Sequence, residues 1–455
     1  MKKTNRISTL QDMHQPENSG GWKRFVHRYV AVYTPPPVPR RPFTKGECSF
    51  PPLKKGGRGI YSSVLQLPLI CYAFARYTQL RYLNCIVVIL IAIGSCSSPQ
   101  PQENTTETTP PTSGMIFPDE DWQTASPESQ GIDAEKLEEA VQYLADHCFE
   151  DKVEEMMIIR NGYLIYQGDS IDKVHNIWSC SKSFTSTALG LMIEDGLCQL
   201  KDQAATYEPL LAEQYPEVTL RHFTTMTSGY NAVGDTRWEG DSSADWSWTP
   251  YQPGEPNFAP GTAYAYWDEA MMMKGRTLTQ ILQSDLHEYL TQNLTEPIGM
   301  GEWSWGQEGD LDGIPIRNGC TNVHVSARQL ARVGHLYLNK GNWNGQQVIS
   351  EEWATQAIQT QVPSSIPVAD TDLKSANGSG SYGYNWWTNG MTAKGRFMPD
   401  SPEGTAYMSG LNHNVCFVIP EWDMVYVRMG VDGNPPEGKH VVHNEFIKRL
   451  AQAFL

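Results

Sequence analysis

The chain has 455 residues, of which 40% are hydrophobic, with 14 Trp and 21 Tyr; this is enough for about two to four domains and excludes a chain disordered throughout. Its net charge of −16 is unevenly placed: residues 1–96 carry 14 Lys/Arg against 3 Asp/Glu (net +11), and residues 97–455 carry 21 against 48 (net −27). So acidic a body repels nucleic acid and anionic membrane surfaces, and it has no basic stripe to overcome that repulsion.

Residues 1–80 lack helical or alternating periodicity and contain broken runs such as TPPPVPRRPF and SFPPLKKGGRGI. They are expected to be a non-domain extension, or the product of a gene start placed too far upstream. Over 81–96, Arg81 is followed by the apolar run IVVILIAIG (86–94) and then Ser95-Cys96. Nine apolar residues are too few to span a bilayer but suit the core of a signal peptide. Ile93-Gly94-Ser95-Cys96 resembles a bacterial lipobox, which implies cleavage before Cys96, lipidation of its thiol and attachment to the cell envelope, facing the periplasm or exterior; a simple cleavable or uncleaved segment is the other reading. The polar, Pro/Thr-rich tract 97–114 reads as a disordered linker.

The folded part is expected over 115–455. Asp133 is placed to cap a helix over AEKLEEAVQYLADH, whose Leu137, Ala140, Val141 and Leu144 share one face. Two apolar strands follow, joined at Asn161-Gly162, a dipeptide suited to the positive φ angles of a tight hairpin turn. WSCSKSFTSTALGLMIEDG then reads as a helix ending at Gly196. Further helices are expected over 326–341 and 350–359, and a second apolar hairpin turns at Pro420-Glu421-Trp422-Asp423. Strands from both ends with helices between them predict an α/β fold: an antiparallel sheet built from both chain ends, flanked by helices, with a mainly helical insertion.

A serine hydroxyl attacks a carbonyl only when something removes its proton, and a lysine three residues on in a helix lies within reach. Ser179 and Lys182 have that spacing, and so do Ser170 and Lys173. The string alone does not choose between nucleophile and helix cap, but Ser179 opens an apolar helix whose first amides could face a developing oxyanion, whereas Ser170 lies in a polar stretch. Cys148, Cys180, Cys198, Cys320 and Cys416 form an odd, widely spaced set with no CxxC pair, so a disulfide framework is not implied. Cys180 reads as a small buried residue rather than a catalytic thiol. With no HExxH, Walker loop or dinucleotide fingerprint, the sequence implies neither metal nor cofactor.

Three strings in order, WSCSKSFTSTALGLMIEDGLCQLKD, VTLRHFTTMTSGY (218–230) and FAPGTAYAYWDEAMM (258–272), resemble those of the serine β-lactamase-like hydrolases: class C β-lactamases, penicillin-binding-protein-like peptidases, esterases and 6-aminohexanoate-oligomer hydrolases. The resemblance implies the β-lactamase/transpeptidase-like fold and gives Ser179 the acyl-forming role, Lys182 the lysine of the first motif and Tyr266 the tyrosine of the second. Tyr264 competes with Tyr266, since an AYAY strand would point both to one side, but only Tyr266 has the family spacing from Pro260-Gly261-Thr262. The family's Asn is Asp268 here, a carboxylate that when ionised only accepts hydrogen bonds. No Lys-Thr-Gly occurs; Met408-Ser409-Gly410 is the candidate third motif, which would set the Leu411 amide beside that of Ser179 as an oxyanion hole. Asp268, Asn412, His413, Trp246 and Trp248 are candidate substrate contacts, and Trp238 belongs to the same Trp-rich insert. The expected activity is hydrolysis of small carboxylic esters or amides through an acyl-serine. The alternatives are a β-lactamase or D-amino-acid peptidase, or a catalytically silent binding protein of the same fold.

Overall fold

The computed structural model describes residues 114–234, 246–369 and 377–455. The apolar run 86–94, Cys96, all of the linker tract but Gly114, and Trp238 lie outside the described residues.

Helix α1 (Ala134–Asp146) starts where the Asp133 carboxylate accepts the Lys136 amide at 3.1 Å. Strands β1 (Glu155–Arg160) and β2 (Tyr163–Gln167) follow, joined by Asn161 at φ 52° and Gly162 at φ 84°. A Cβ on Gly162 would meet the Ile116 carbonyl at 2.0 Å, so the turn needs glycine for space as well as for its dihedral. Helix α2 (Ser181–Glu194) is preceded by a 3₁₀ turn, Trp178–Cys180, and α3 spans Asp268–Leu282. Helix α4 (Ala327–Leu338) carries a capping box between Ser326 and Gln329. The chain ends with β3 (Trp387–Thr388), β4 (Ala406–Gly410), β5 (Asn414–Ile419), β6 (Met424–Met429) and helix α5 (Lys439–Gln452).

The main sheet has the order β3-β4-β5-β6-β1-β2, antiparallel throughout, so the N-terminal hairpin pairs with the last strand (Glu155↔Met429, Ile158↔Tyr426). The strands are buried on both faces, with the alternation expected of a pleat. Met157, Ile159, Met408, Cys416, Val425 and Val427 share one core with α4 and α2, while Met156, Ile158, Tyr407, Phe417 and Tyr426 share the other with α1 and α5. Helix α2 is the central element, its residues from Ser181 to Met192 all buried. A helix with no wet face must be covered on all sides, here by α3, by Leu286–Leu290 and by the segments that carry Tyr337, Trp353 and Tyr384. One expectation is corrected: AYAY is not a regular strand, and only Tyr264 makes an isolated bridge, to Val368.

Candidate active site

The turn that carries Ser179 is strained and tied down from outside. Trp178 has φ 50°, left-handed backbone unfavourable for a bulky residue. Its amide donates to Asn176 Oδ1 at 2.8 Å, the same oxygen accepts the Asn322 amide at 3.1 Å, and the Val323 amide donates to Ser181 Oγ at 3.1 Å. A short ladder pairing His175–Asn176 with His324–Val325 anchors these residues. Strain of this sort persists only where the surroundings over-determine it, and it presents the half-buried Ser179 at the head of α2. No side-chain cap closes that helix end, so Ser179 is not acting as a helix cap.

One turn on, Lys182 is 1% exposed, and its Nζ donates to Ser179 Oγ at 2.8 Å and to the Cys320 carbonyl at 3.2 Å. The Asp268 carboxylate, 17% exposed at the first residue of α3, lies 2.6 Å from the same nitrogen. Burial opposes the charge on Lys182, but the adjacent Asp268 outweighs it and holds the ammonium well above the ordinary lysine range. Tyr266 hydrogen-bonds Ser179 and Lys182, and its phenol is pushed up to about 12 by burial, partly offset by Lys182. Its ring stacks on Trp387 at 5.5 Å and lies 4.8 Å from Lys182 Nζ. The Gly261 amide donates to the Thr227 carbonyl and that of Ala265 to the Met226 carbonyl, at 2.8 and 3.0 Å, which joins the second and third of the strings noted above. Tyr264 and Tyr266 both meet the ring of Tyr382, but Tyr264 is fully buried.

The other copy of the spacing is built differently. Lys173 Nζ pairs with Glu155 Oε1 at 2.9 Å. Cys180 is fully buried, which pushes its thiol up to about 12, against any nucleophilic role.

At β4, a Cβ on Gly410 would stand 2.2 Å from the Ile177 carbonyl and 3.3 Å from Cys180 Sγ. Glycine therefore lets this strand end close on the turn bearing Ser179, the juxtaposition an oxyanion hole between the Ser179 and Leu411 amides requires. Ser409 is half-buried and Leu411 is 46% exposed. Met408 is 1% exposed and belongs to the core.

The remaining candidates separate. Asp268, a candidate substrate contact from the sequence, is engaged with Lys182. His413 is 1% exposed and bonds His443 Nε2 at 2.8 Å and Cys148 Sγ at 3.4 Å, so it is part of a buried chain. Asn412 is left-handed at φ 58°, and its carbonyl accepts from Arg428 at 3.2 Å. Trp246 is half-buried against the core that Tyr266 also packs on, and Trp248 is 69% exposed.

Sequence reasoning missed two groups. One is the Cys320 carbonyl, aimed by Asn318 Oδ1, which accepts the Cys320 and Thr321 amides at 3.0 and 3.1 Å. The other is Lys439 at the start of α5, whose Nζ donates to the Gly410 carbonyl at 2.8 Å. Burial pushes this lysine down to about 8. Neither lies near a motif in sequence, so only the tertiary fold could reveal them.

Comparison with known proteins agrees with this construction. The family model described as Beta-lactamase matches residues 156–451. An uncharacterized protein of Alkalihalophilus pseudofirmus is 22% identical over 284 residues, covering 59% of this chain and 76% of that protein. Among solved structures, a putative 6-aminohexanoate-dimer hydrolase from Bacillus anthracis superposes with a TM-score of 0.52 at 20% identity, covering 65% of this chain and 78% of that one. A family VIII carboxylesterase superposes with a TM-score of 0.51 at 16% identity over 71% of this chain and 99% of that one. At these identities the structures speak for the fold, while the family model spans most of the chain from β1 to α5. The chain therefore belongs to the beta-lactamase family and is a serine hydrolase of the serine beta-lactamase-like superfamily.

Proposed function

We propose that this hydrolase cleaves small carboxylic esters or amides through an acyl-Ser179 intermediate, and that it is held at the bacterial cell envelope by a lipid on Cys96. The observation that carries the chemistry is the contact of Lys182 Nζ with Ser179 Oγ at 2.8 Å, with Tyr266 bonded to both. Ser179 Oγ attacks the acyl carbon while its proton leaves toward these two groups. The Ser179 and Leu411 amides receive the oxyanion, Tyr266 hands a proton to the leaving group, and water then releases the acyl group by the same steps. This reading includes a preference for neutral substrates over carboxylate-bearing ones, supported by Met408, which puts an apolar side chain into the core where relatives with Lys-Thr-Gly carry a cation. The names of the similar structures, a 6-aminohexanoate-dimer hydrolase and a carboxylesterase, fit the same substrate range. Attachment is supported by the apolar run ending in Ile93-Gly94-Ser95-Cys96 and the polar tract after it.

A second reading, a β-lactamase or D-amino-acid peptidase, is favoured by Lys439, which could meet a substrate carboxylate beside the third motif. Labelling purified residues 97–455 with a fluorophosphonate and, separately, with a fluorescent penicillin tests the proposal. Labelling by the first alone is expected. Labelling by penicillin supports the second reading, and labelling by neither returns the chain to a binding role.

A further inference from the structure

An ammonium group has three N–H bonds and no lone pair. Lys182 Nζ lies against three acceptors: Ser179 Oγ at 2.8 Å, Asp268 Oδ1 at 2.6 Å and the Cys320 carbonyl at 3.2 Å. The Tyr266 hydroxyl hydrogen-bonds Lys182 as well, so the ammonium is engaged on every side and cannot take the Ser179 proton unless it gives one up. Of these partners, a carbonyl and a neutral phenol are too weak as bases to take a proton and Ser179 is the proton's source, which leaves the carboxylate. An amide at position 268 could accept a hydrogen bond from Lys182 but not a proton.

Resting on the hydrolase reading above, we propose that Asp268 is the terminal acceptor of the Ser179 proton and that Lys182 relays it. As the Oγ–carbon bond forms, the Ser179 O–H breaks and its proton joins Nζ. One Nζ–H breaks in the same event and its proton joins Asp268 Oδ1. Lysine remains an ammonium, Asp268 becomes a neutral acid, and the negative charge has moved to the oxyanion. On collapse, Tyr266 gives its proton to the leaving group and takes one from Lys182, which recovers one from Asp268. In deacylation, water loses its proton along the same path, and Ser179 Oγ regains one as the acyl group departs. Asp268 acts through Lys182, so its role is to position and hold the charge that makes the lysine a conduit. The other titratable groups facing this pair are Tyr266 from the segment before α3, Tyr382 from the segment before β3, Cys180 from the nucleophile turn, and Cys320, whose thiol donates to Asn318 Oδ1 at 3.0 Å. Burial pushes Tyr266, Tyr382 and Cys180 upward, so these three remain neutral through the working range.

The test follows acylation by p-nitrophenyl butyrate in the release burst, since nitrophenolate leaves without needing a proton and the nucleophile's proton is isolated. In Asp268→Asn, Lys182 keeps its burial but loses the carboxylate, so it must shed its own proton before it can accept one. The acid limb of the pH–rate profile should move upward from its wild-type position, with a loss of about a hundredfold at pH 6 that narrows by pH 9. Asp268→Glu should retain the wild-type limb at a reduced rate. A measurement on the wild type alone keeps the question open to refutation if the variants do not fold: with two protons in flight, the acylation rate plotted against deuterium fraction should bow, and a straight line overturns the relay. An Asp268→Asn profile superimposable on the wild type also overturns it. A wild type that neither turns over ester nor takes fluorophosphonate would fail the hydrolase reading itself, which is distinct from an active enzyme with a straight plot.

Discussion

Replacing Lys182 with methionine separates what the buried ion pair does for the fold from what it does for the reaction. The substitution nearly conserves volume, so cavity formation contributes little. It removes the Lys182 contact that Asp268 makes at 2.6 Å, where 17% of the Asp268 side chain is exposed. Breaking a fully buried pair costs about 3–5 kcal/mol; partial access of water to Asp268 brings the expected loss to about 2–3 kcal/mol. For a folded body of about 340 residues, whose unfolding entropy is about 0.7 kcal/mol/K, that lowers Tm by about 3–4 °C. Turnover should fall about 10²- to 10⁴-fold, the range for losing the group that moves the nucleophile's proton. Adding Asp268→Asn to Lys182→Met removes the carboxylate that has lost its counter-ion, so stability should return to within about 1 kcal/mol of wild type while activity does not recover. Urea melts and ester turnover on the four proteins of the cycle decide it. A Lys182→Met protein as stable as wild type, or a double variant no more stable than the single one, would refute the ion-pair account.

Gly410→Ala puts a Cβ 2.2 Å from the Ile177 carbonyl, so β4 must back away from the Ser179 turn; kcat/KM should drop about a hundredfold, with little change in fluorescence-detected folding at 25 °C. Lys439→Met tests the second substrate reading with a matched pair of esters, one bearing a carboxylate. If Lys439 binds the anion, the variant loses about tenfold to a hundredfold on the anionic ester alone. The wild-type rate on that ester then falls as pH rises through about 8, where this lysine gives up its proton; an unchanged anionic rate supports the neutral preference. In a Gram-negative host, mass spectrometry should find a mature chain beginning at a lipidated Cys96, and an intact Met1 terminus contradicts envelope anchoring.

Local sequence made much of this fold legible because its signals are local. Asp133 caps, Asn161-Gly162 turns and the apolar hairpin 414–429 act within a few residues, and the structure forms α1, β1–β2 and β5–β6 around them. The two copies of the Ser–Lys spacing were told apart by what followed each, since only an apolar run can make the buried helix that holds Lys182. What remained hidden depends on distance in sequence. Asp268 read as a substrate contact because nothing near it reveals a lysine 86 positions earlier. His413 read as a candidate substrate contact because its partners His443 and Cys148 come from other elements. Lys439 carries no motif at all, and it reaches Gly410 because α5 starts at that end of the sheet.

The central claim is that Ser179 forms the acyl-enzyme, and it is tested most directly by acid-quenching the protein during turnover of a slow ester and mapping the adduct by peptide mass spectrometry. The account predicts one acyl group on the peptide containing Ser179, lost in Ser179→Ala and kept in Ser170→Ala. An adduct on another residue, or steady turnover by Ser179→Ala, would contradict it.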